Sequence, residues 1–512
     1  METFEPSLEP QPLEQTQPEG RDGVRLFLAL AVFIAAYLFV SLVPIRYAPL
    51  GFLLLTVCFY AATVVFALLR GGRLRAASVL AMIFGLGIAG YHFIRGGANT
   101  GFFDLFPVFC ISGLTYAYFV MTLFDAHSGL IGSRFLLDIC KGVAFHFVSF
   151  GSIFRDVFKS GPKDKKRTSV VLGVIFGLVF AAVLLLIVGS LLSYDEHFTA
   201  MLPKLDIDDI AEIFGKLVLA IPISAIIYSI FDSSSKNKLP GISSEASRSA
   251  ISGAVSFVPA LLITLPVAAV LVMYVMFFIS QWAYYMSAFT HTLPSGYSAA
   301  EFAREGFFQL LVVACINAAL IIGMRCFMKR VSKAAQTAGD VLSVILSAAT
   351  IALIITAMSK LLLYIDLYDL TQERLIAAIF LVFLALAFVF VILSVLIKKV
   401  KALPCILACA LVLVFAYSVI NTGRMVAEYN VDSYLSGRHE NIDVSYLAED
   451  LELNATEQLI RLRDNAKDAK VAAEASEAIA KHAAACRDKA IKWYQLSMPI
   501  LNARRAVDNA RN

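Results

Sequence analysis

Residues 374–397 read RLIAAIFLVFLALAFVFVILSVLI, and Arg374 at the first position is the only charged residue among them. A helix of about 20 apolar residues crosses the roughly 30 Å of hydrocarbon in a bilayer. Lys398, Lys399 and Lys401 follow the stretch directly. An apolar span that ends in a short basic loop is typical of an integral membrane protein.

The same pattern recurs along the whole chain. Hydrophobic residues make up 59% of the sequence and charged residues 16%, whereas globular proteins average about 25% charged residues. The sequence therefore predicts an all-α, polytopic integral membrane protein with about eleven transmembrane helices. The predicted spans are 26–43, 50–69, 76–94, 103–124, 169–193, 210–231, 254–279, 306–324, 341–363, 374–397 and 402–420.

Basic residues alternate between the loops that join these spans. The N-terminal segment and the even-numbered loops hold 23 Lys and Arg residues, and the odd-numbered loops hold 4. Short loops rich in Lys and Arg stay on the cytoplasmic side of a membrane. The pattern predicts a cytoplasmic N-terminus and, because the number of spans is odd, an extracytoplasmic C-terminus.

Composition divides the chain into three predicted regions. Residues 1–23 are acidic and proline-rich and predict a disordered cytoplasmic tail, without the basic start of a signal peptide. Residues 24–420 form the predicted transmembrane domain. Residues 421–512 form a predicted extracytoplasmic helical domain, in which 421–454 is polar and turn-rich and the helix formers that follow predict helices over 455–471, 472–491 and 496–510.

The fourth loop has an unusual pattern. Residues 129–159 place polar residues on one face of a helix and phenylalanines on the other, and a basic cluster follows. This pattern predicts an amphipathic helix that lies on the inner membrane surface and contacts anionic lipids; the alternative is a helix that caps the inner ends of the bundle. The basic cluster consists of Lys163, Lys165, Lys166 and Arg167.

Polar residues at the start of the eighth span are candidates for a transport route. Glu301 and Glu305 lie one helical turn apart, Arg304 is beside them, and Gln309 and Asn317 lie farther into the span. Polar residues within a span usually face the interior of the bundle. One interpretation is a polar entry for an ion or a small solute, and the other is an ion pair with hydrogen bonds between helices.

Two lysines lie within predicted spans. Lys216 and Lys360 could bind a coupling ion, or could extend their amines to the membrane surface. Pro222, Pro259 and Pro266 interrupt the sixth and seventh spans. Interrupted helices mark binding sites in many transporters, although proline is also tolerated in membrane helices.

Motifs of soluble enzymes are absent from the sequence. It has no phosphate-binding Gly-Lys-Ser/Thr loop, no HExxH zinc helix, no Gly-x-Ser-x-Gly elbow and no kinase signature. His92, His197 and His291, with nearby carboxylates, could bind a metal ion, but they come from different loops without local ligand spacing. We predict no cofactor, no metal and no nucleic-acid partner, and an enzymatic activity is not expected.

Four parts of the sequence carry a family resemblance. They are GSIFR (151–155) with LLSYDEHF (191–198), YSAAEFAREGFFQL (297–310), LYIDLYDLTQER (363–374), and AEYNVDSYL (427–435) with DVSYL (443–447). In their order and spacing they resemble a family of bacterial multi-spanning membrane proteins known only as a domain of unknown function. Relatives tend to have glycine where Asp369 stands. The resemblance implies a bacterial inner-membrane protein and transfers no active site.

Three functions remain open at this point. The leading hypothesis is a non-enzymatic membrane component that senses or scaffolds at the outer face. The alternatives are a secondary transporter for a small solute or ion, and an outward-facing enzyme that modifies lipids or glycans, which would require the histidines and carboxylates to converge.

Overall fold

The computed structural model describes residues 21–41, 48–96, 102–124, 152–153, 207–235, 260–280, 299–327, 333–488 and 491–510, with some helical segments, among them 299–309, given as backbone only. The described residues form helices and turns, without a strand. Several predictions fall wholly or largely outside them. The acidic tail before residue 21 lies there, as does the amphipathic helix 129–159 apart from Ser152 and Ile153.

Ten helices precede residue 421 in the described part of the chain. They are α1 (Arg21–Ser41), α2 (Pro49–Leu69), α3 (Ala76–Arg95), α4 (Phe102–Leu123), α5 (Ile207–Ser235), α6 (Ala260–Ser280), α7 (Ala299–Phe327), α8 (Lys333–Tyr368), α9 (Gln372–Leu396) and α10 (Ala402–Val419).

These helices correspond to the predicted spans. Each predicted span has its helix, except 169–193, which lies outside the described residues. Six helices are long and apolar enough to cross a membrane, namely α2, α3, α8, α9, α10 and the part of α5 from Gly215, and apolar segments of 10–17 residues lie in α1, α4, α6 and α7. The chain is therefore an all-α polytopic membrane protein. Pro222 and Pro266 lie within α5 and α6, and Pro259 lies outside the described residues.

Among the described residues after the last span, four further helices follow: α11 (Thr422–Leu435), α12 (Thr456–Asn465), α13 (Ala469–Cys486) and α14 (Met498–Asn509). A π-helical turn covers Tyr446–Asp450, and 3-10 turns cover Glu452–Ala455 and Trp493–Gln495. Helix α11 corrects the turn-rich prediction for its segment. The Asn421 side chain caps α11 by accepting a hydrogen bond from the Arg424 N–H, and one face of the helix is buried in the core, which propensity does not reveal.

The chain divides into two compact units. The first is Met1–Ser41 with Ala144–Lys236, and the second is Leu42–Val143 with Asn237–Asn512. In the first unit, α1 packs against α5 around Ala36, Val40 and Ala220.

The second unit has a hydrophobic core that runs from the membrane helices into the C-terminal helices. It includes Leu353 of α8, Leu381 of α9, Val426 of α11, Leu459 of α12 and Ala475 of α13, each at most 1% exposed. Within this core α11 packs against α9, α12 packs against α11, and α13 packs against α12.

Candidate functional site

The loop between α8 and α9 is held by side chains of the C-terminal segment. Asn430 of α11 accepts a hydrogen bond from the Leu370 N–H and donates one to the Leu370 carbonyl, both at 2.9 Å. Tyr446 accepts a hydrogen bond from the Gln372 N–H at 3.0 Å. We name this arrangement, with His439 and Asp369, the loop clamp. It joins two of the stretches that carry the family resemblance, 363–374 and 427–447.

Asp369 adopts a left-handed backbone conformation with φ of 65°. Residues other than glycine rarely adopt that conformation. The Asp369 carboxylate contacts Nδ1 of His439 of the C-terminal segment. Glycine would reach the same φ value without a steric penalty.

Two further groups complete the loop clamp. The Arg374 guanidinium lies over the Tyr364 ring, 4.1 Å from its centroid, and donates to the carbonyls of Tyr368, at 2.5 Å, and Asp369. Thr371 caps α9 by accepting from the Arg374 N–H at 3.3 Å. Burial raises the pKa of Tyr446 to about 12, so its hydroxyl remains protonated at neutral pH. The loop between α8 and α9 is therefore held by side chains of both its own helices and the C-terminal segment.

A second contact joins α3 to the connection between α10 and α11. The Arg95 guanidinium lies between the rings of Tyr91 and Tyr417, 4.6 and 3.8 Å from their centroids, and donates to the Tyr417 carbonyl at 2.6 Å. Asn454 donates to the Arg95 carbonyl at 2.9 Å and accepts from the Asn421 amide at 2.8 Å. We name this contact the Arg95 junction.

A polar cleft of about 520 Å³ lies between α11, α12 and α14. Two of its arginines are paired, Arg424 with Glu457 at 2.8 Å and Arg463 with Asp464 at 2.6 Å. Arg505 adds an exposed positive charge, which leaves an excess of one positive charge in the cleft. We name it the arginine cleft; its size lies within the range of small-molecule sites, about 300–1,000 Å³.

Of the polar residues predicted in the eighth span, Asn317 has a described environment. Its Oδ1 accepts from the Tyr274 hydroxyl of α6 at 2.7 Å, and its Nδ2 donates to Thr350 Oγ1 of α8 at 2.8 Å. Thr350 in turn donates to the Leu346 carbonyl at 2.6 Å. This chain of hydrogen bonds joins the three membrane helices α6, α7 and α8. Glu301, Arg304, Glu305 and Gln309 lie on the first half of α7, where the side chains are outside the described part.

The structure places the two predicted lysines in different units. Lys360 is 3% exposed on α8 of the second unit, and Lys216 lies on α5 of the first. Lys360 and Thr350 are separated by about 15 Å along the helix axis, from a rise of about 1.5 Å per residue, so Lys360 is outside the Asn317 hydrogen-bond chain.

Of the remaining candidates, His92 is the one that the structure describes. The predicted lipid contacts Lys163, Lys165, Lys166 and Arg167 lie outside the described residues, as do His197 and His291. His92, on α3, is 1% exposed, and neither of its ring nitrogens has a hydrogen-bond partner in the part of the chain that the structure describes. Within the described ranges no three His, Cys, Asp or Glu side chains are grouped to hold a metal ion.

Comparison with known proteins identifies a family for this chain. The family described as "Domain of unknown function (DUF4153)" matches residues 34–462. The chain belongs to this family. No curated protein and no solved structure matches it. The DUF4153 match includes the loop clamp and the Arg95 junction, and it ends within α12, so α13, α14 and part of the arginine cleft lie outside the matched residues.

The sequence did not single out several residues of these contacts. Asn430 and Tyr446 stood within the stretches that resemble the DUF4153 family, so the resemblance contained a signal for the loop clamp. No sequence signal marked Arg95, Asn421 or Asn454. Ile94 and Asn421, for example, are in contact although they lie more than 300 positions apart, and a sequence pattern does not show such a contact.

Proposed function

We propose that this protein is a non-enzymatic component of the bacterial inner membrane that senses or scaffolds at the outer face. The observation that carries the proposal is the hydrophobic core shared by α8 and α9 with α11–α13. Because packed cores deform little, a ligand or partner that displaces the C-terminal helices would also displace the ends of those spans.

The two polar contacts support the same coupling. The loop clamp fixes α11 to the α8–α9 loop, and the Arg95 junction fixes residues 421 and 454 to the end of α3. Interfaces that have two discrete arrangements can convert a small shift at one site into a larger one elsewhere. The C-terminal helices are thus connected to membrane helices at two separate places.

The arginine cleft is the proposed binding site for the ligand or partner that the protein senses. Its excess positive charge and its asparagines, Asn502 and Asn509, favour a ligand or a partner segment that carries an acidic group. Arginine binds carboxylates and phosphates through paired hydrogen bonds. In this sensing role the C-terminal helices bind the ligand or partner, and α8 and α9 change position in response.

The orientation follows from the charge pattern of the loops. We infer that the N-terminus is cytoplasmic and that α11–α14 lie outside the cytoplasm. A C-terminal alkaline phosphatase fusion should be active, and a C-terminal fluorescent protein that folds only in the cytoplasm should be dark. The opposite pair of results would contradict the orientation and, with it, an outer-face role.

Reconstitution into liposomes tests the function itself. We expect no saturable uptake of small solutes or ions beyond that of empty liposomes. Where deletion of the gene causes a growth defect, we expect the wild-type chain to restore growth, and Arg505→Glu to fail while accumulating to the same level. Saturable flux, or full restoration by Arg505→Glu, would overturn the proposal.

Secondary transport is the second candidate, and the buried Lys360 favours it. A charged residue within a membrane span is expensive to bury and is functional in many proteins. If the protein is a transporter, Lys360→Met should abolish flux, whereas Lys333→Met, at an exposed helix start, should leave flux unchanged. Equal flux in both variants would remove Lys360 from the candidates.

A further inference from the structure

A groove of about 480 Å³ runs between α3, α4 and α10. Its walls are almost wholly apolar and include Ala81, Phe84, Leu114, Leu411 and Phe415. Leu80, Ile83 and Val412 form its edges and are 52, 49 and 66% exposed. Within a membrane, exposed apolar surface of this kind contacts lipid chains.

One end of the groove is bordered by basic residues. Arg75 directly precedes α3, and Lys401 directly precedes α10. The Arg73 N–H donates to the Leu123 carbonyl at 2.9 Å, which places Arg73 beside the end of α4. In residues 70–80 and 396–404 every charged residue is basic.

The basic residues of α3 and α10 lie at the same depth. Gly87 of α3 is in close contact with the Phe415 ring, and Arg95 at the end of α3 binds the Tyr417 carbonyl, so the two helices run in the same direction. At a rise of about 1.5 Å per residue, Arg75 lies roughly 18 Å before Gly87 along α3, and Lys401 lies roughly 21 Å before Phe415 along α10. Both therefore lie near one membrane surface, with the groove extending from them into the hydrocarbon.

We propose that this groove binds an anionic phospholipid. The acyl chains occupy the apolar groove, and the headgroup phosphate binds Arg75 and Lys401, with Arg73 beside them. Charge complementarity selects the headgroup, because basic residues near a membrane surface attract anionic lipids. By the charge pattern of the loops, the lipid belongs to the cytoplasmic leaflet. This site is separate from the arginine cleft and does not depend on the sensing role.

Photolabelling in nanodiscs tests the site. The probes are phosphatidylglycerol and phosphatidylcholine, each with a diazirine on one acyl chain, used singly with the full chain. We expect label on 77–84 and 408–415, and about tenfold more of it from phosphatidylglycerol, because only that headgroup carries a net negative charge for the basic residues to attract. Equal labelling by both probes, or label spread evenly over the exposed face of α2, would overturn the proposal; this comparison needs no variant.

Variants separate the headgroup from the groove. Arg75→Gln with Lys401→Gln should remove the preference for phosphatidylglycerol, and Lys333→Gln, at the start of α8, should retain it. Ala408→Phe should reduce labelling of the groove by both probes, whereas Ala61→Phe, on the exposed face of α2, should not. An unchanged preference in the double variant, or an unchanged yield in Ala408→Phe, would contradict the site.

Discussion

The side chain of Asn430 binds both backbone groups of Leu370, its Oδ1 accepting from the N–H and its Nδ2 donating to the carbonyl, each at 2.9 Å. Asn430 is 2% exposed. One buried amide thus satisfies a donor and an acceptor of a loop between two membrane helices, and does so from a helix 60 residues farther along the chain.

Replacement of Asn430 by alanine should weaken the attachment of α11 to the membrane helices. The Leu370 N–H and carbonyl would both lose their partner, and a buried polar group without a partner costs about 1–3 kcal/mol. We expect the apparent melting temperature in detergent to fall and hydrogen exchange in residues 422–462 to rise. Asn441→Ala, at an exposed position, is the matched control; the same loss of stability in both variants would contradict the role of Asn430.

Substitutions at Asp369 should separate the effect of backbone strain on stability from the effect of the contact with His439. Asp369→Gly and Asp369→Ala both lose the contact with His439, but alanine retains the steric penalty of a left-handed conformation, which is about 1–2 kcal/mol. We expect Asp369→Gly to be the more stable of the two by about 1 kcal/mol in thermal unfolding. If the two variants melt at the same temperature, the φ of 65° does not limit stability.

The membrane helices could be predicted from the sequence because the length of each apolar stretch determines them. An apolar stretch of sufficient length must be helical in lipid to satisfy its backbone hydrogen bonds, so α9 follows directly from residues 374–397. The helix α11 could not be predicted in this way. Its sequence, TGRMVAEYNVDSYL, has ordinary propensity, and it is the burial of Val426 and Val431 against other elements that stabilises it.

The contacts of the candidate site were less predictable than the helices. Asn317 was singled out because a polar residue in an apolar span needs a partner, and its partners Tyr274 and Thr350 lie on neighbouring helices. The arginine cleft arises where α11, α12 and α14 meet, and no local spacing shows that Arg424 and Arg505 share it. Sequence patterns identify which residues need partners, but the tertiary fold decides which partners they find.

The buried histidine of α13 should make the C-terminal helices sensitive to acid. His482 Nε2 donates to the Ala448 carbonyl at 3.1 Å, and Nδ1 lies 2.9 Å from the Thr456 hydroxyl oxygen. Burial lowers the pKa of His482 below its usual value of 6.5. Below about pH 6.5 His482 binds a proton in the unfolded chain but remains neutral in the folded chain. The free energy of unfolding therefore decreases as the pH drops.

The pH dependence can be measured by thermal unfolding in detergent between about pH 7.5 and 5, a range that includes the ordinary histidine pKa. We expect the melting temperature of the wild type to decrease towards the acid end, and His482→Gln to reduce that slope. His439→Gln serves as the comparison for a histidine already paired with a carboxylate. A slope that His482→Gln leaves unchanged would assign the acid sensitivity to other groups.

The hydrogen bond from Tyr274 to Asn317 should contribute modestly to stability. Tyr274→Phe removes the donor and keeps the ring, and hydrogen bonds between membrane helices contribute about 0.6–2 kcal/mol. We expect a small decrease in melting temperature for Tyr274→Phe and none for Tyr368→Phe, whose ring is exposed. If Tyr274→Phe instead failed to restore growth in cells that lack the gene, or lost lipid labelling, without any loss of stability, the hydrogen-bond chain would have a functional role.

Close packing between α2 and α3 depends on Gly85. A Cβ atom there would overlap the Tyr60 hydroxyl group, whereas a Cβ at Gly113 of α4 would meet no atom of the described residues within 4 Å. Gly85→Ala must therefore displace the Tyr60 ring, which packs against Tyr116 and Phe119, and overpacking of this kind costs about 1–3 kcal/mol. We expect Gly85→Ala to lower the melting temperature and Gly113→Ala to leave it unchanged or raise it slightly. The pair is a strict comparison, because both variants add one methyl group to a membrane helix and differ only in the space around it; equal melting temperatures would show that α2 and α3 are not packed this closely.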